Sequence, residues 1–235
     1  MLCPIDKDDL DLAISRAIEY QVDGLVIATS RLTSRAFAQC EKFGVHLSLI
    51  NRYAEGINAN SSGIDNRLAG QQAAEYLTQK GAKQCAYISG DAGSMTSEER
   101  WLGFSSKLQE LGSPSPTFIQ AKYSFEAGLE AAKAILSHTS KPDAIFCAND
   151  ILAMGVMDGL RQAGAKIPQD FSVMGVDNIP MSAWPSYDLT TIAQPVDKIV
   201  KRAVEDLMNR INGNLDATGE YLFEQGTLIE RSSTI

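Results

Sequence analysis

Six side chains stand where a small ligand would be held: Asn51, Arg52, Arg100, Tyr123, Asn149 and Asp177. Each comes after a short apolar run. LSLI is followed by Asn51 and Arg52, and CAYIS by a loop leading to Arg100. TFIQA is followed by Lys122 and Tyr123, AIFCA by Asn149 and Asp150, and FSVMGV by Asp177 and Asn178. Planar guanidinium donors, carboxamides, a carboxylate and a phenol ring suit a small neutral ligand rich in hydroxyl or amide groups. A hydrogen bond to a charged group contributes about 1.5–3 kcal/mol net, so two or three of them with one stacked ring predict roughly micromolar to millimolar binding. That is a sensing range.

Plainer roles are open to the same residues. Asp150, or Asn149, can cap the next helix. Asp177-Asn178 can form an Asx turn, and Arg100 can pair on the surface with Glu98 or Glu99. Tyr123, Phe125, Trp101 and Trp184 can be core. The placement of several such residues after successive strands is what favours a site.

Catalytic chemistry finds little material. His46 and His138 are the two histidines, in separate segments and without metal-binding spacing. The chain has no GxSxG elbow, P-loop, GxGxxG fingerprint or CxxC pair. The acidic run from Asp6 to Asp11 lacks the turn glycine and closing glutamate of a calcium loop, and reads as a solvated helix start. Asp150 and Asp177 as an acid/base pair rest on residue type alone. The expectation is a binding protein, not an enzyme, with no metal or cofactor.

Composition agrees. Over 235 residues, 44% are hydrophobic and 21% charged, as in ordinary globular chains. Acids outnumber bases 29 to 21, a net charge of −8, which opposes a direct grip on DNA phosphates. No run reaches the roughly 18 apolar residues of a membrane span. The start, MLCPIDKDD, is acidic where a secretory signal is basic, and Cys3, Cys40, Cys85 and Cys147 lie far apart. Both features predict a cytoplasmic location.

The elements that must position these residues alternate. Helical stripes run through Leu10–Ile18, Thr33–Phe43, Ala69–Leu77, Glu99–Leu111, Phe125–Leu136, Asp150–Gln162 and Ile199–Ile211. Between them lie the apolar runs DGLVIATS, HLSLIN, a short segment near Gly63–Asp65, CAYISG, TFIQA, AIFCA, FSVMGV and LTTIAQ, with GTLIERS last. Continuous apolar strands alternating with helices predict an α/β fold of doubly wound parallel sheets, and the number of units favours two lobes over one. Ligands of such sheets bind beyond the carboxyl ends of the strands, where the six residues fall.

The stretches CANDILAMGVMDGLRQAGAKIPQDFSVMGVDN, LTTIAQP and TLIERSST resemble the effector-binding core of LacI-type bacterial transcription regulators. The likeness runs over essentially the whole chain from DGLVIATS onward. It implies two interleaved Rossmann-like lobes of the periplasmic-binding-protein type I kind, with a ligand cleft between them. The implied lobes are 1–62 with 195–225 and 63–194 with 226–235, crossing near Gly63, Gln194 and Gly226. Within them, Arg100, before Gly103-Phe104, matches the family's ligand-binding arginine, and Asn149 its AND asparagine. Asp177 matches the aspartate that accepts hydroxyl or amide bonds, Tyr123 a stacking aromatic, and Asn51 and Arg52 the polar contacts of the first lobe. A sugar- or nucleoside-like effector is implied, with a sugar phosphate also open. So are a homodimer and operator DNA reached through a headpiece absent from this chain, which also opens as if past the first strand and helix of its first lobe. The rivals are an extracytoplasmic sugar-binding protein of a transport system and an interaction domain without a ligand. The TLIERSST ending and the acidic start favour the regulator.

Overall fold

The computed structural model describes residues 10–28, 34–51, 59–214 and 220–235; Cys3, the acids Asp6, Asp8 and Asp9, and Arg52 lie outside them. The chain runs through α1 (Leu10–Glu19), β1 (Gly24–Ile27), α2 (Ser34–Lys42), β2 (His46–Ile50), β3 (Asn60–Ile64), α3 (Asn66–Gln79), β4 (Cys85–Ile88), α4 (Met95–Glu110) and β5 (Thr117–Ile119). It continues with α5 (Phe125–Ser137), β6 (Ala144–Cys147), α6 (Asp150–Gln162), β7 (Ser172–Asp177) and a 3-10 turn (Pro180–Ala183). Last come β8 (Thr190–Ala193), α7 (Val196–Ile211), β9 (Tyr221–Glu224) and β10 (Thr227–Ile229). Among the described residues, no helix is long and apolar enough to cross a membrane.

Two compact units divide this material. One takes the described residues up to Ile64 together with Val196–Glu224; the other takes Asp65–Pro195 and Gln225–Ile235. In the first unit, four parallel strands lie in the order β1-β2-β3-β9. One side of this unit's core gathers Ile14, Cys40, Leu47 and Leu49. α7 packs on the strands through Ile199, Ala203 and Leu207, all buried. That i, i+4, i+8 stripe is the reason the segment is a helix with one dry face. Asp206 and Arg210 form a buried pair at 3.3 Å on the same helix, and Asn60 Nδ2 donates to the other oxygen of Asp206.

In the second unit six strands run β10-β8-β7-β6-β4-β5, all parallel except β10, which pairs antiparallel with β8. The strands at its centre are dry: CAYI and AIFC are buried at every position, as the continuous apolar runs predict. Tyr87, Phe104 and Phe146 interlock there, with ring centroids 5.1–6.2 Å apart. α3 and α4 cross so closely that a Cβ on Gly70 would collide with the carbonyl of Arg100, and one on Gly103 with the carbonyl of Arg67. The same device recurs between α5 and α6 at Gly128 and Gly155. These glycines are there for absence of bulk.

Two local expectations differ from the structure. α4 begins at Met95, not Glu99, because Ser94 caps it, accepting from Ser97 N–H at 3.4 Å. β9, from the half-buried YLFE, was not expected at all, and only TLI of GTLIERS is strand. The residues after TLI are an anchor instead. Ser233 exchanges bonds with Val173 and Thr190, and Thr234 reaches Tyr76 and Thr190.

Candidate functional site

β4, β6 and β7 are neighbours in the second sheet, and their carboxyl ends release α4, α6 and the segment after Asp177. Arg100 lies in the second turn of α4 and is 4% exposed. It is buried and not a surface residue. Its Nε donates to Asn66 Oδ1 at 2.9 Å and its Nη1 to the carbonyl of Ala148, one residue before Asn149. Asn66, itself buried in the first turn of α3, holds the guanidinium in place.

Asn149, not Asp150, caps α6: its Oδ1 accepts from Leu152 N–H at 3.0 Å. A cap consumes the oxygen and leaves the amide nitrogen, a donor, for a ligand. Asp150 is wholly buried instead. Thr191 Oγ1 donates to it at 2.6 Å and Ile179 N–H at 3.0 Å. Burial pushes its carboxyl up to about 7; the charge of Asp177 adds to this, while the bonds from Thr191 and the backbone of Ile179 and Asn178 pull the other way.

Asp177 ends β7 with φ 121°, and Asn178 follows at 56°, so two successive residues are left-handed. That turn is held from outside: Asn178 Oδ1 accepts from Arg231 at 2.7 Å and from Ser182 at 3.3 Å. Gln194 Nε2 donates to Asp177 Oδ1 at 2.5 Å. Burial raises the Asp177 carboxyl above its ordinary range, opposed by the Arg100 guanidinium and the Gln194 bond. Arg100, Asn149 and Asp177 are thus brought together with Gln194.

Tyr123 stands at the same edge of this sheet, beyond β5. Its ring fills the place a Cβ on Gly90 would take. Its hydroxyl meets Ser94 at 3.0 Å and Thr96 at 3.3 Å, where α4 begins. Asn51 belongs to the first unit and directly follows β2 with φ 56°, its N–H on the carbonyl of Ser62 at 2.8 Å. Arg52 lies outside the described residues. Of the aromatic residues with a core alternative, Trp101 and Phe125 are half-buried, and Trp184 is 54% exposed and not core.

Two residues of this cluster, Gln194 and Asn66, are not among the candidates read from the sequence. Gln194 directly follows TTIA, so the rule of reading what comes after each strand points to it. Asn66 carries no such signal, because its partner is 34 residues away. Nor does anything local to Asp150 foretell its burial. Among the described residues, no group of three or more His, Cys, Asp or Glu side chains could hold a metal ion. The cluster offers donors and acceptors to a polar ligand.

Residues 74–234 match the family described as periplasmic binding protein-like domain. The chain is 30% identical over 231 residues to the HTH-type transcriptional repressor CytR of Escherichia coli, covering 97% of this chain and 66% of CytR. It is 33% identical over 196 residues to the repressor PurR of Aliivibrio salmonicida, covering 82% of this chain and 59% of PurR. It therefore spans less than two thirds of either relative. A LacI family transcriptional regulator from Enterococcus faecium, solved with bound ribose, superposes with a TM-score of 0.88 at 27% identity, covering all of this chain and 86% of that one.

Proposed function

Since the chain belongs to the periplasmic binding protein-like domain family, among the effector-binding cores of LacI-type regulators, we propose that it senses a small metabolite and passes that binding on to transcription. One observation carries the reading. Arg100, Asn149, Asp177 and Gln194 come from four separate stretches of sequence and meet at the carboxyl edge of one sheet. A carboxyl group with a carboxamide and a guanidinium beside it addresses vicinal hydroxyls or a ring amide. The class of effector is a sugar or nucleoside; the ribose in the E. faecium regulator supports the first, and the names CytR and PurR place the relatives among repressors. Those names favour a cytoplasmic regulator over a transport protein. Asn51 and Arg52 are further proposed contacts. Operator binding through a headpiece, and a homodimer, complete the proposal.

For such a ligand to act, it must bind two states of the protein unequally, since equal affinity shifts nothing. The experiment is a thermal-shift and calorimetric screen of this chain with ribose, cytidine, adenosine and ribose 5-phosphate. One class is expected to raise the melting temperature saturably. Asp177→Asn and Arg100→Ala should each weaken that ligand by more than about tenfold, the loss of one charge-assisted bond. No response across the panel, or unchanged affinity in both variants, rejects the site.

A further inference from the structure

A cavity of about 200 Å3 opens on the second unit beside β5, and the candidate effector cluster does not use it. Its lining includes Trp101, Ser97 and Glu98 of α4, Phe118 and Gln120 at β5, and Asp91 in the loop before α4. β5 is the end strand of its sheet, which leaves Phe118 45% exposed. Trp101, half-buried, meets Phe118 edge-on with centroids 5.0 Å apart. Two aromatic rings and two acidic residues in the lining of one cavity form a recognisable chemistry. A ring face attracts a cation through its quadrupole, most strongly for tryptophan, and a carboxylate at the rim supplies the countercharge. The N-terminus of α4 carries about half a positive charge, which opposes a cation, but the full negative charge of Glu98 in its first turn outweighs it. A neutral ligand could donate hydrogen bonds to those carboxylates but would gain neither the countercharge nor the ring attraction.

We propose that this cavity is a second binding site, for a small organic cation of the guanidinium or alkylammonium type. Its volume limits the occupant to a molecule of side-chain size, which points to a free metabolite such as a polyamine fragment. The site lies on the same first turns of α4 that hold Ser94 and Thr96 against Tyr123, so occupancy would steady that end of the helix.

The chain has two tryptophans, and Trp184→Phe leaves Trp101 as the single reporter. Agmatine titrated into that variant should change the Trp101 emission saturably in the millimolar range. Glu98→Gln, at an exposed position, should weaken the response at least about fivefold, and so should raising NaCl from about 0.05 to about 0.5 M. The uncharged urea analogue of agmatine should give no response. The proposal is overturned by an absence of saturable change up to about 20 mM. It is equally overturned by an equal response to the uncharged analogue, or by a Glu98→Gln variant that binds like its parent. Far-ultraviolet dichroism confirms that each variant is folded.

Discussion

The buried carboxyl of Asp150 makes the stability of this protein depend on pH in a direction opposite to that of a salt-bridged acid. The group ionises at about 7 in the folded chain, against an ordinary value of 3.8. A carboxyl raised on folding contributes fully when both states are protonated, below pH about 4, and that contribution is lost as pH climbs through the folded value near 7. Above pH 7 the native state carries a desolvated charge that the unfolded chain does not. At 1.36 kcal/mol per tenfold change in acidity, the ceiling on this penalty is about 4 kcal/mol. Asp177, also raised by burial, acts in the same sense.

Asp150→Asn removes the charge and keeps the shape. Its single oxygen can accept from Ile179 N–H while its amide donates to the Thr191 hydroxyl, which is free to rotate. Relative to parity below pH about 4, the variant should therefore gain about 1.6 kcal/mol on its parent by pH 5 and about 4 kcal/mol by pH 8, a change of roughly 2.5–3 kcal/mol across that interval. For a chain of this size each kcal/mol moves the melting temperature by about 2–4 °C. Urea denaturation of both proteins at half-unit steps from pH 5 to 8 measures the difference directly, because titrations common to the two cancel. Parallel stability curves across that interval would refute the reasoning.

Two further outcomes follow from the packing and the anchor. Gly103→Ala should cost about 1–3 kcal/mol, since the added Cβ meets the Arg67 carbonyl between α3 and α4; a denaturation midpoint matching wild type would contradict the close crossing. Arg231→Ala should lose about 1.5–3 kcal/mol through its bonds to Asn178 Oδ1 at 2.7 Å and to the Leu189 carbonyl at 2.6 Å. Hydrogen exchange should show faster opening over residues 178–189 in that variant, and unchanged exchange there would count against the anchoring role.

Much of the fold was legible from local pattern. Apolar runs such as CAYI and AIFC, alternating with helical stripes, announce buried parallel strands because only a strand covered on both faces needs every position dry. Capping chemistry was legible too, although the sequence leaves open which of Asn149 and Asp150 does it, and the missed start of α4 shows that a capping serine amid polar residues reads as loop. The short half-buried β9 was invisible, its four residues being too few to set a period.

The candidate site divides in the same way. Residue types and their position after each strand are one-dimensional facts, and they singled out Arg100, Asn149 and Asp177. The direction in which Arg100 points, the burial of Asp150, and the use of Arg231, Ser233 and Thr234 as a brace depend on partners tens of residues away. Such contacts carry no local signature, because the chain entropy spent to form them is recovered only when the whole sheet is assembled. Sequence determined which groups stand at the carboxyl edge; tertiary packing alone decided which way each faces and which of them water still reaches.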